Sequence, residues 1–280
     1  MTAQRASLDE IRGFYARYLT RCAKASDPRL ERAFETIPRE AFLPPGPWRI
    51  ATAGGPLQTP SDDPAYLYQN VLVALDAEHG INNGEPALHA EWLAAVEPGA
   101  GETVIQIGAG TGYYTAILAF LVLPGGTVLA YEIDPALAAA AERNLTPFEN
   151  VTVIRASATA GALPKADLIY VNASVAAPPL SWIDALNPGG RLIFPWRLSS
   201  WTGVAIKINR VRRGLQAEPL SFAQFIACTG GPSGPVDGEP VNTDRAWQTG
   251  SLWRVEERAP DASATAIYRD VWFSTDPIED

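Results

Sequence analysis

A glycine-rich turn at residues 108–112 is the first stretch of this sequence whose residue types point to chemistry. It reads GAGTG, follows the apolar run TVIQI at 103–107 and precedes a run with helical spacing. Glycines in a strand-to-helix turn let the backbone approach a ligand where a β-carbon would clash. Glu132 ends the next apolar run, and an acid in that place can accept hydrogen bonds from both ribose hydroxyls. The pattern predicts a site for a cofactor that contains a nucleoside.

Two classes of cofactor share this plan. A dinucleotide fold places a glycine at the sixth position of G-x-G-x-x-G, where this chain has Tyr113. G-x-G-x-G with an acid ending the second strand is typical of S-adenosyl-L-methionine-dependent methyltransferases, whose cofactor has no pyrophosphate. Glycine-rich turns also occur without any cofactor. Glu132, the later motif NPGGRLIFP and the order of strands together favour S-adenosyl-L-methionine.

A polar stretch at 78–89, EHGINNGEPALH, contains the only two histidines of the chain. An alcohol, phenol or amine acceptor would benefit from a general base, and His79 and His89 are the candidates. A carboxylate acceptor is already ionised and needs hydrogen-bond donors, which Asn82, Asn83 or nearby backbone amides can supply. Each histidine also has a structural interpretation, His79 bonded to the local backbone and His89 packed beside Trp92 and Leu93.

The elements around these residues alternate between strand and helix. The predicted strands cover 103–107, 127–132, 151–155, 166–171 and 190–196, and the predicted helices cover 7–23, 28–37, 86–96, 113–123 and 134–145. The strands are almost continuously apolar, as strands buried on both faces are. The alternation predicts an α/β fold with a doubly wound, mostly parallel sheet, preceded by helices.

The two ends of the chain differ from this core. The proline-rich PREAFLPPGPW at 38–48 predicts a surface loop or arm. GVAIKINRV from 203 and LSFAQFIACTG from 220 predict strands of an antiparallel edge. After a Gly/Pro-rich linker at 230–244, SLWRVEER and ATAIYRDVWF predict a β-hairpin extension that folds onto the body. We therefore expect a domain at 1–230, with subregions 1–85 and 86–230, and an extension at 231–280.

Composition excludes several classes of protein. The net charge of −9 argues against a nucleic-acid surface, which needs clustered Lys and Arg. The sequence has no run of 18 apolar residues, so no membrane span is predicted. The first residues do not predict a secretory signal. Cys22 and Cys228 are far apart in sequence and predict two isolated buried thiols. We expect a cytoplasmic monomer or homodimer and assign no metal ligand.

The order of motifs resembles the protein-L-isoaspartate O-methyltransferase family over roughly residues 10–230. The segments that carry the resemblance are ETIPREAFLPP (35–45), EHGINNGEP (78–86), QIGAGTGY (106–113), VTVIRASATAG (151–161) and LNPGGRLIFP (186–195). The resemblance implies a Rossmann-like class I methyltransferase fold and S-adenosyl-L-methionine as cofactor. The residues and the resemblance together assign to the cofactor Gln106, Ile107, Gly108, Ala109, Gly110, Gly112, Tyr113, Glu132, Ile133, Ser157, Ala158 and Asn172. Asn172 is placed by its position at the end of a strand, with turn capping as the alternative, and core packing is the alternative for Tyr113.

Three departures from the family pattern concern the ligands. Gly84 stands where the family has a serine near the methyl-accepting carboxylate. Ser157 stands at the acid that holds the adenine amino group, and Gln106 replaces an acid just before the loop. The resemblance therefore implies an intact donor site and a remodelled acceptor site.

The residues and the resemblance together predict a methyltransferase that acts on a carboxylate of a protein or peptide. Asn83, His89 and His79 are its candidate catalytic residues. One alternative is the same fold acting on a specialised peptide or small molecule. Another is a non-catalytic relative that binds the cofactor.

Overall fold

A computed structural model describes residues 6–52 and 54–278 of the chain. The chain forms two compact units. The first contains residues up to 101 together with 109–126 and 134–153, and the second contains 102–108, 127–133 and everything from 154 onward. The chain thus passes from the second unit to the first between Gly108 and Ala109, inside the glycine-rich turn.

The first unit is mainly helical. Its helices are α1 (Leu8–Cys22), α2 (Pro28–Thr36), α3 (Pro86–Val96), α4 (Tyr113–Leu121) and α5 (Pro135–Asn144). All five were predicted, and three begin with a side-chain cap, from Ser7, Asp27 and Asp134. Helix α4 ends at Leu121 rather than 123, because a residue before a proline is disfavoured in helical conformation and Pro124 follows.

The proline-rich segment 38–48 is not the surface arm that its prolines predicted. The prolines prevent a long helix, but Arg39, Phe42 and Trp48 are buried, with 0%, 2% and 6% of their surface exposed. The segment leads into the short strands β1 (Arg49–Thr52) and β2 (Gly55–Gln58), and the pair β3 (Ala74–Asp76) and β4 (Ile81–Asn82) follows. Trp48 and Leu43 of this segment pack into a small core with Leu67 and Val73.

A ten-stranded sheet forms the second unit, apart from the first three residues of β7, which belong to the first. The strand order is β13-β14-β12-β11-β10-β9-β8-β5-β6-β7. The strands are β5 (Thr103–Ile107), β6 (Thr127–Glu132), β7 (Val151–Arg155), β8 (Ala166–Val171), β9 (Leu186–Arg197), β10 (Gly203–Val211), β11 (Gly214–Phe222), β12 (Ser251–Arg254), β13 (Ala264–Ile267) and β14 (Val271–Ser274). Strands β6, β5, β8 and β9 run parallel to one another, as predicted for the core of the α/β fold.

The antiparallel part of the sheet is larger than the predicted edge. Strand β10 lies between β9 and β11 and is not an edge strand. The strand predicted from 220 coincides only with the last three residues of β11, which begins at Gly214, right after the turn that ends β10. Strand β11 ends at Phe222, which pairs with Val204, the second residue of β10. Residues after 222 therefore have almost no part of β10 left to pair with.

The C-terminal residues extend this same sheet. The two segments predicted to form one hairpin form three strands, because 264–274 is itself the hairpin β13–β14 and β12 pairs with β14. Trp196 of β9 stacks on Phe273 with ring centroids 4.2 Å apart, and its indole N–H donates to the Tyr268 hydroxyl at 2.9 Å. The prediction that the extension folds onto the body is thus confirmed within this unit. The domain boundary at 230/231 stays a prediction.

Both cysteines are free, in agreement with the prediction of no disulfide. The prediction that both are buried is wrong for Cys22, which is exposed at the last position of α1. Cys228 is partly buried in the second unit, and burial raises the pKa of its thiol.

Candidate active site

The predicted cofactor residues that belong to the second unit lie at the carboxyl ends of its parallel strands. Gly108 follows β5 and donates its backbone N–H to the carbonyl of Tyr131 in β6 at 2.9 Å. On the other side, Asn172 donates its backbone N–H to the carbonyl of Ile107 at 2.8 Å. Open α/β sheets bind ligands at this edge. The structure therefore brings Ile107, Gly108 and Asn172 together beside the end of β6.

Gly108 lies close against Asn172. Its φ is +79°, and a β-carbon there would lie 3.5 Å from the β-carbon of Asn172. The buried Gln106 donates from Nε2 to the Asn172 side-chain oxygen at 3.4 Å. Asn172 therefore has a side-chain partner in the sheet, rather than only the turn-capping role that was the alternative.

The end of β6 holds the acid that the sequence assigned to the ribose. Glu132 is buried, with 6% of its surface exposed, while the next residue, Ile133, is about half exposed. An acid ending the second strand is suited to the two ribose hydroxyls of a nucleoside. Glu132 therefore fits the ribose of S-adenosyl-L-methionine, and the glycine turn fits a close approach of that cofactor to the backbone.

Ser157 and Ala158 follow β7 and have local partners. The Ser157 hydroxyl lies 2.8 Å from the hydroxyl of Thr159. The Ala158 carbonyl accepts a hydrogen bond from the Trp182 indole at 2.8 Å, which fixes the backbone at this point. A hydroxyl shared with Thr159 is a weaker partner for an adenine amino group than an acid would be.

The first unit holds the rest of the turn and fixes it firmly. The Thr111 hydroxyl donates to the Phe42 carbonyl at 2.5 Å, and Asn144 donates to the Thr111 carbonyl at 2.9 Å. Gly112 has φ +98°, and a β-carbon there would lie 2.8 Å from Leu145. Gly110 also has a positive φ, so the turn needs glycine at positions 110 and 112. Ala109, between Gly108 and Gly110, is buried. Gly112 is required by packing against Leu145, whereas Gly110, whose β-carbon would meet only Leu75 at 3.7 Å, leaves the backbone open to a close ligand contact.

Tyr113 packs in the core of the first unit. Its ring centroid lies 5.7 Å from that of Phe42 and 5.1 Å from that of Tyr114. Burial raises the pKa of the Tyr113 hydroxyl well above its usual value, which keeps it neutral. The packing interpretation therefore holds for this ring, and a contact with the cofactor stays a prediction.

The predicted acceptor segment, Asn82–Gly84, uses most of its donors internally. The Gly84 N–H donates to the Asn82 side-chain oxygen at 2.9 Å, and the Asn83 N–H donates to the Val73 carbonyl at 2.8 Å. The Asn82 amide donates to the Gly80 carbonyl at 3.3 Å. These two backbone amides are therefore not available to hold an acceptor, whereas the Asn83 side-chain NH2 donates to none of the described residues.

His79 and His89 have opposite environments. The His79 ring is 73% exposed and pairs with the Asp76 carboxylate, Nδ1 to Oδ2, at 2.7 Å. The His89 ring is completely buried and stacks on Tyr114 with centroids 3.6 Å apart. Burial, with a smaller contribution from the Arg39 charge, lowers the pKa of His89 to about 3. His89 is thus a neutral core residue, as its structural interpretation proposed.

Sequence reasoning missed Arg39. Its guanidinium is buried and donates to the Asn83 side-chain oxygen at 3.0 Å and to the Gly84 carbonyl at 3.3 Å. The side chain therefore connects the proline-rich segment to the predicted acceptor segment. The sequence does contain a signal for Arg39, the tripeptide PRE at 38–40, which belongs to a segment that resembles a family motif. The prolines around it indicated a surface loop instead.

Metal-binding clusters and membrane-spanning helices are both absent from the described parts of the chain. Within 6–52 and 54–278, no three His, Cys, Asp or Glu side chains are grouped so that they could hold a metal ion. Over the same ranges, no helix has the length and apolar character needed to cross a bilayer.

Comparison with known proteins identifies relatives of this chain. The family model described as protein-L-isoaspartate (D-aspartate) O-methyltransferase matches residues 17–231. A protein-L-isoaspartate O-methyltransferase from Myxococcus xanthus is 30% identical over 224 residues, which cover 78% of this chain and 95% of that protein. One from Aeropyrum pernix is 31% identical over 182 residues, 63% of each protein. One from Thermotoga maritima is 30% identical, and the match covers 50% of its length.

Solved structures share the fold. A protein-L-isoaspartate O-methyltransferase structure aligns with a TM-score of 0.67 at 22% identity, covering 94% of this chain and 86% of its own. A Plasmodium falciparum structure in complex with S-adenosyl-L-homocysteine aligns with a TM-score of 0.63 at 20% identity, covering 79% and 99%. These likenesses establish the Rossmann-like class I methyltransferase fold. The match of the family model over most of the chain shows that this protein belongs to the protein-L-isoaspartate O-methyltransferase family.

Proposed function

We propose that this chain is an S-adenosyl-L-methionine-dependent O-methyltransferase that acts on a side-chain carboxylate of a protein or peptide, of the isoaspartate type. Family membership supports the cofactor and the reaction class. The observation that carries the choice of acceptor is the state of the two histidines. His89 is buried and neutral, and His79 is exposed and paired with Asp76. An acceptor that needs no base suits these residues.

The chemistry of the proposed reaction is an in-line displacement. Bound S-adenosyl-L-methionine would supply a methyl group on a sulfonium, and the C–S bond would break as an acceptor carboxylate oxygen forms the C–O bond. The acceptor is ionised at neutral pH, so no proton has to be removed, and alignment of the reactants supplies much of the rate. The protein's task is to hold the acceptor and exclude competing nucleophiles.

The residues proposed to hold the cofactor are those of the glycine turn and the strand ends. Glu132 would accept the ribose hydrogen bonds, and Gly108, Gly110 and Gly112 would allow close backbone approach. Gln106, Asn172, Ser157 and Ala158 lie at or just after the ends of neighbouring strands. Next in sequence to Gly108, Gly112 and Glu132 are Ile107, Ala109, Tyr113 and Ile133. Asn83 is the proposed donor to the acceptor carboxylate.

A second candidate is a methyltransferase of the same fold that acts on a specialised peptide or small molecule. It is favoured by Gly84, where the family pattern has a serine, and by the His89 ring that fills the space beside it. The cytoplasmic location and the monomeric or dimeric state also stay predictions from the sequence.

One experiment separates these alternatives. S-adenosylhomocysteine binding is measured by calorimetry, and transfer of a labelled methyl group is then measured on an isoaspartyl peptide and on its aspartyl isomer. We expect micromolar binding and transfer to the isoaspartyl peptide alone. Binding without transfer to either peptide would favour the second candidate or the non-catalytic relative that binds the cofactor, and absence of binding would overturn both enzyme proposals.

A further inference from the structure

Arg39 is a buried cation whose hydrogen-bond partners are all neutral. Its guanidinium donates to five oxygens, of which four are backbone carbonyls and one is the Asn83 side-chain oxygen; the carbonyls belong to Leu67, Gln69, Val71 and Gly84. Among residues 6–52 and 54–278, no carboxylate forms a salt bridge with it. A buried charge normally has a counter-charge, because desolvation is costly.

None of the charged and titratable groups around Arg39 forms an ion pair with it among the described residues. Glu40, the next residue, pairs with Arg12 at 3.3 Å and accepts from the Tyr68 hydroxyl. Burial raises the pKa of Tyr114 and lowers that of His89, so both rings are neutral at pH 7. Glu85, which follows Gly84, accepts a hydrogen bond from Asn70 at 2.6 Å and is not bonded to Arg39, so the Arg39 guanidinium has no carboxylate in direct contact among the described residues.

Arg39 also fixes which way the Asn83 amide points. A guanidinium has only donors, so the atom 3.0 Å from its Nε must be the amide oxygen, and the amide NH2 must face away from Arg39. Asn83 has only 7% of its surface exposed. Within the described ranges, no hydrogen bond is formed by its Nδ2. A nearly buried amide with two unused donors is suited to an anionic oxygen that arrives with a ligand.

We propose that Arg39 is a positioning residue that aims the Asn83 NH2 at the acceptor's carboxylate and supplies the charge to which that carboxylate is complementary. The inference rests on the proposed function, because it takes a carboxylate as the acceptor. Asn83 touches the acceptor, and Arg39 acts through it. The site would thus bind a carboxylate in preference to a neutral amide of the same shape.

The test compares binding of two labelled peptides that differ only in charge, in the presence of saturating S-adenosylhomocysteine. One carries an isoaspartyl residue and the other the matching neutral isoasparaginyl residue. Fluorescence anisotropy is measured for wild type, Asn83→Ala, Asn83→Asp, Arg39→Lys and the double variant Arg39→Lys/Asn83→Ala. Arg29→Lys is the control, because Arg29 also donates to two backbone carbonyls, at Leu121 and Pro98, away from this segment.

We expect wild type and Arg29→Lys to prefer the isoaspartyl peptide by about tenfold or more, as one charge-assisted hydrogen bond allows. Asn83→Ala should lose that preference, and Asn83→Asp should bind the isoaspartyl peptide more weakly still, because the new carboxylate neutralises Arg39. As a single variant, Arg39→Lys should weaken the preference for the isoaspartyl peptide. Added to Asn83→Ala, the same substitution should have no further effect on that preference. Asn83→Asp keeps the acceptor for Arg39, so it tests the charge even if Arg39→Lys does not fold.

Several results would overturn the inference. These are equal binding of the two peptides by wild type, an unchanged preference in Asn83→Ala, additive losses in the double variant, or stronger binding by Asn83→Asp than by Asn83→Ala. The two proposals fail separately. Selective binding without methyl transfer would refute the proposed function alone, and methyl transfer that is indifferent to Asn83 would refute the role of Arg39 and Asn83 alone.

Discussion

The His89 imidazole occupies the space that a side chain at position 84 would need. A β-carbon built on Gly84 would lie 2.5 Å from His89 Nε2 and 3.0 Å from the Tyr114 ring. Gly84 also has a φ of +76°. Residues 84 and 89 therefore depend on each other: the buried ring is compatible with glycine there, and a serine at 84 would displace it. The glycine departure from the family pattern is thus coupled to a histidine in the following helix.

Substituting Gly84→Ser should lower the free energy of unfolding by about 2–4 kcal/mol, from overpacking against His89 together with the positive φ. Gly80→Ser is the matched control, because Gly80 has a φ of +71° but nothing within 4 Å of its β-carbon position. Gly80→Ser should cost only the conformational term, about 1 kcal/mol. The measurement is urea unfolding, and equal losses for the two variants would contradict the steric argument.

His89 should make stability depend on pH. Its pKa of about 3 in the folded state lies below its ordinary value of 6.5, so the unfolded chain binds the proton first as pH falls. The stabilisation is present above pH 6.5 and is lost as pH falls from there toward 3, by up to about 1.4 kcal/mol per pH unit. The slope of unfolding free energy between pH 6 and 4.5 should be smaller in His89→Phe. An identical slope would show that His89 is already protonated in the folded protein.

Glu132→Ala should weaken S-adenosylhomocysteine binding more than tenfold, because two hydrogen bonds between a carboxylate and ribose hydroxyls are lost. Glu132→Gln keeps one acceptor and should lose less. Glu239→Ala, which removes an exposed acid of the same unit, should bind as wild type does. Calorimetry measures all three dissociation constants. Affinity within twofold of wild type for Glu132→Ala would mean that the donor site is placed wrongly.

Phe273→Ala should destabilise the protein by about 3–5 kcal/mol, since a fully buried aromatic ring stacked on Trp196 leaves a cavity. Val236→Ala removes an exposed side chain from the same C-terminal region and should change stability by less than about 0.5 kcal/mol. Thermal and urea unfolding report both values. A small effect of Phe273→Ala would indicate that the C-terminal strands contribute little to the core.

Local signals predicted the core well and the ends less well. Asp134 before Pro135 fixed the start of α5, and apolar runs fixed β5, β6, β7 and β8 to the residue. The course of the antiparallel strands depended on pairing between distant residues, such as Val204 with Phe222, which no local pattern reveals. The candidate site shows the same contrast. The glycine turn is readable from its spacing, whereas the buried guanidinium of Arg39 is defined by carbonyls 28 to 45 residues away.

The sheet has a consequence for any attempt to shorten the protein. Strands β12 to β14 continue the sheet beyond β11, and the last strand, β13, has only four residues. A chain cut before residue 251 would remove the pairing of Leu215 and Gln216 of β11 with β12 and leave this end of β11 as a bare edge. Such an edge is a template on which another chain can add as a strand. We therefore expect a chain cut at this point to self-associate through the exposed edge, because β12 to β14 would no longer cover it.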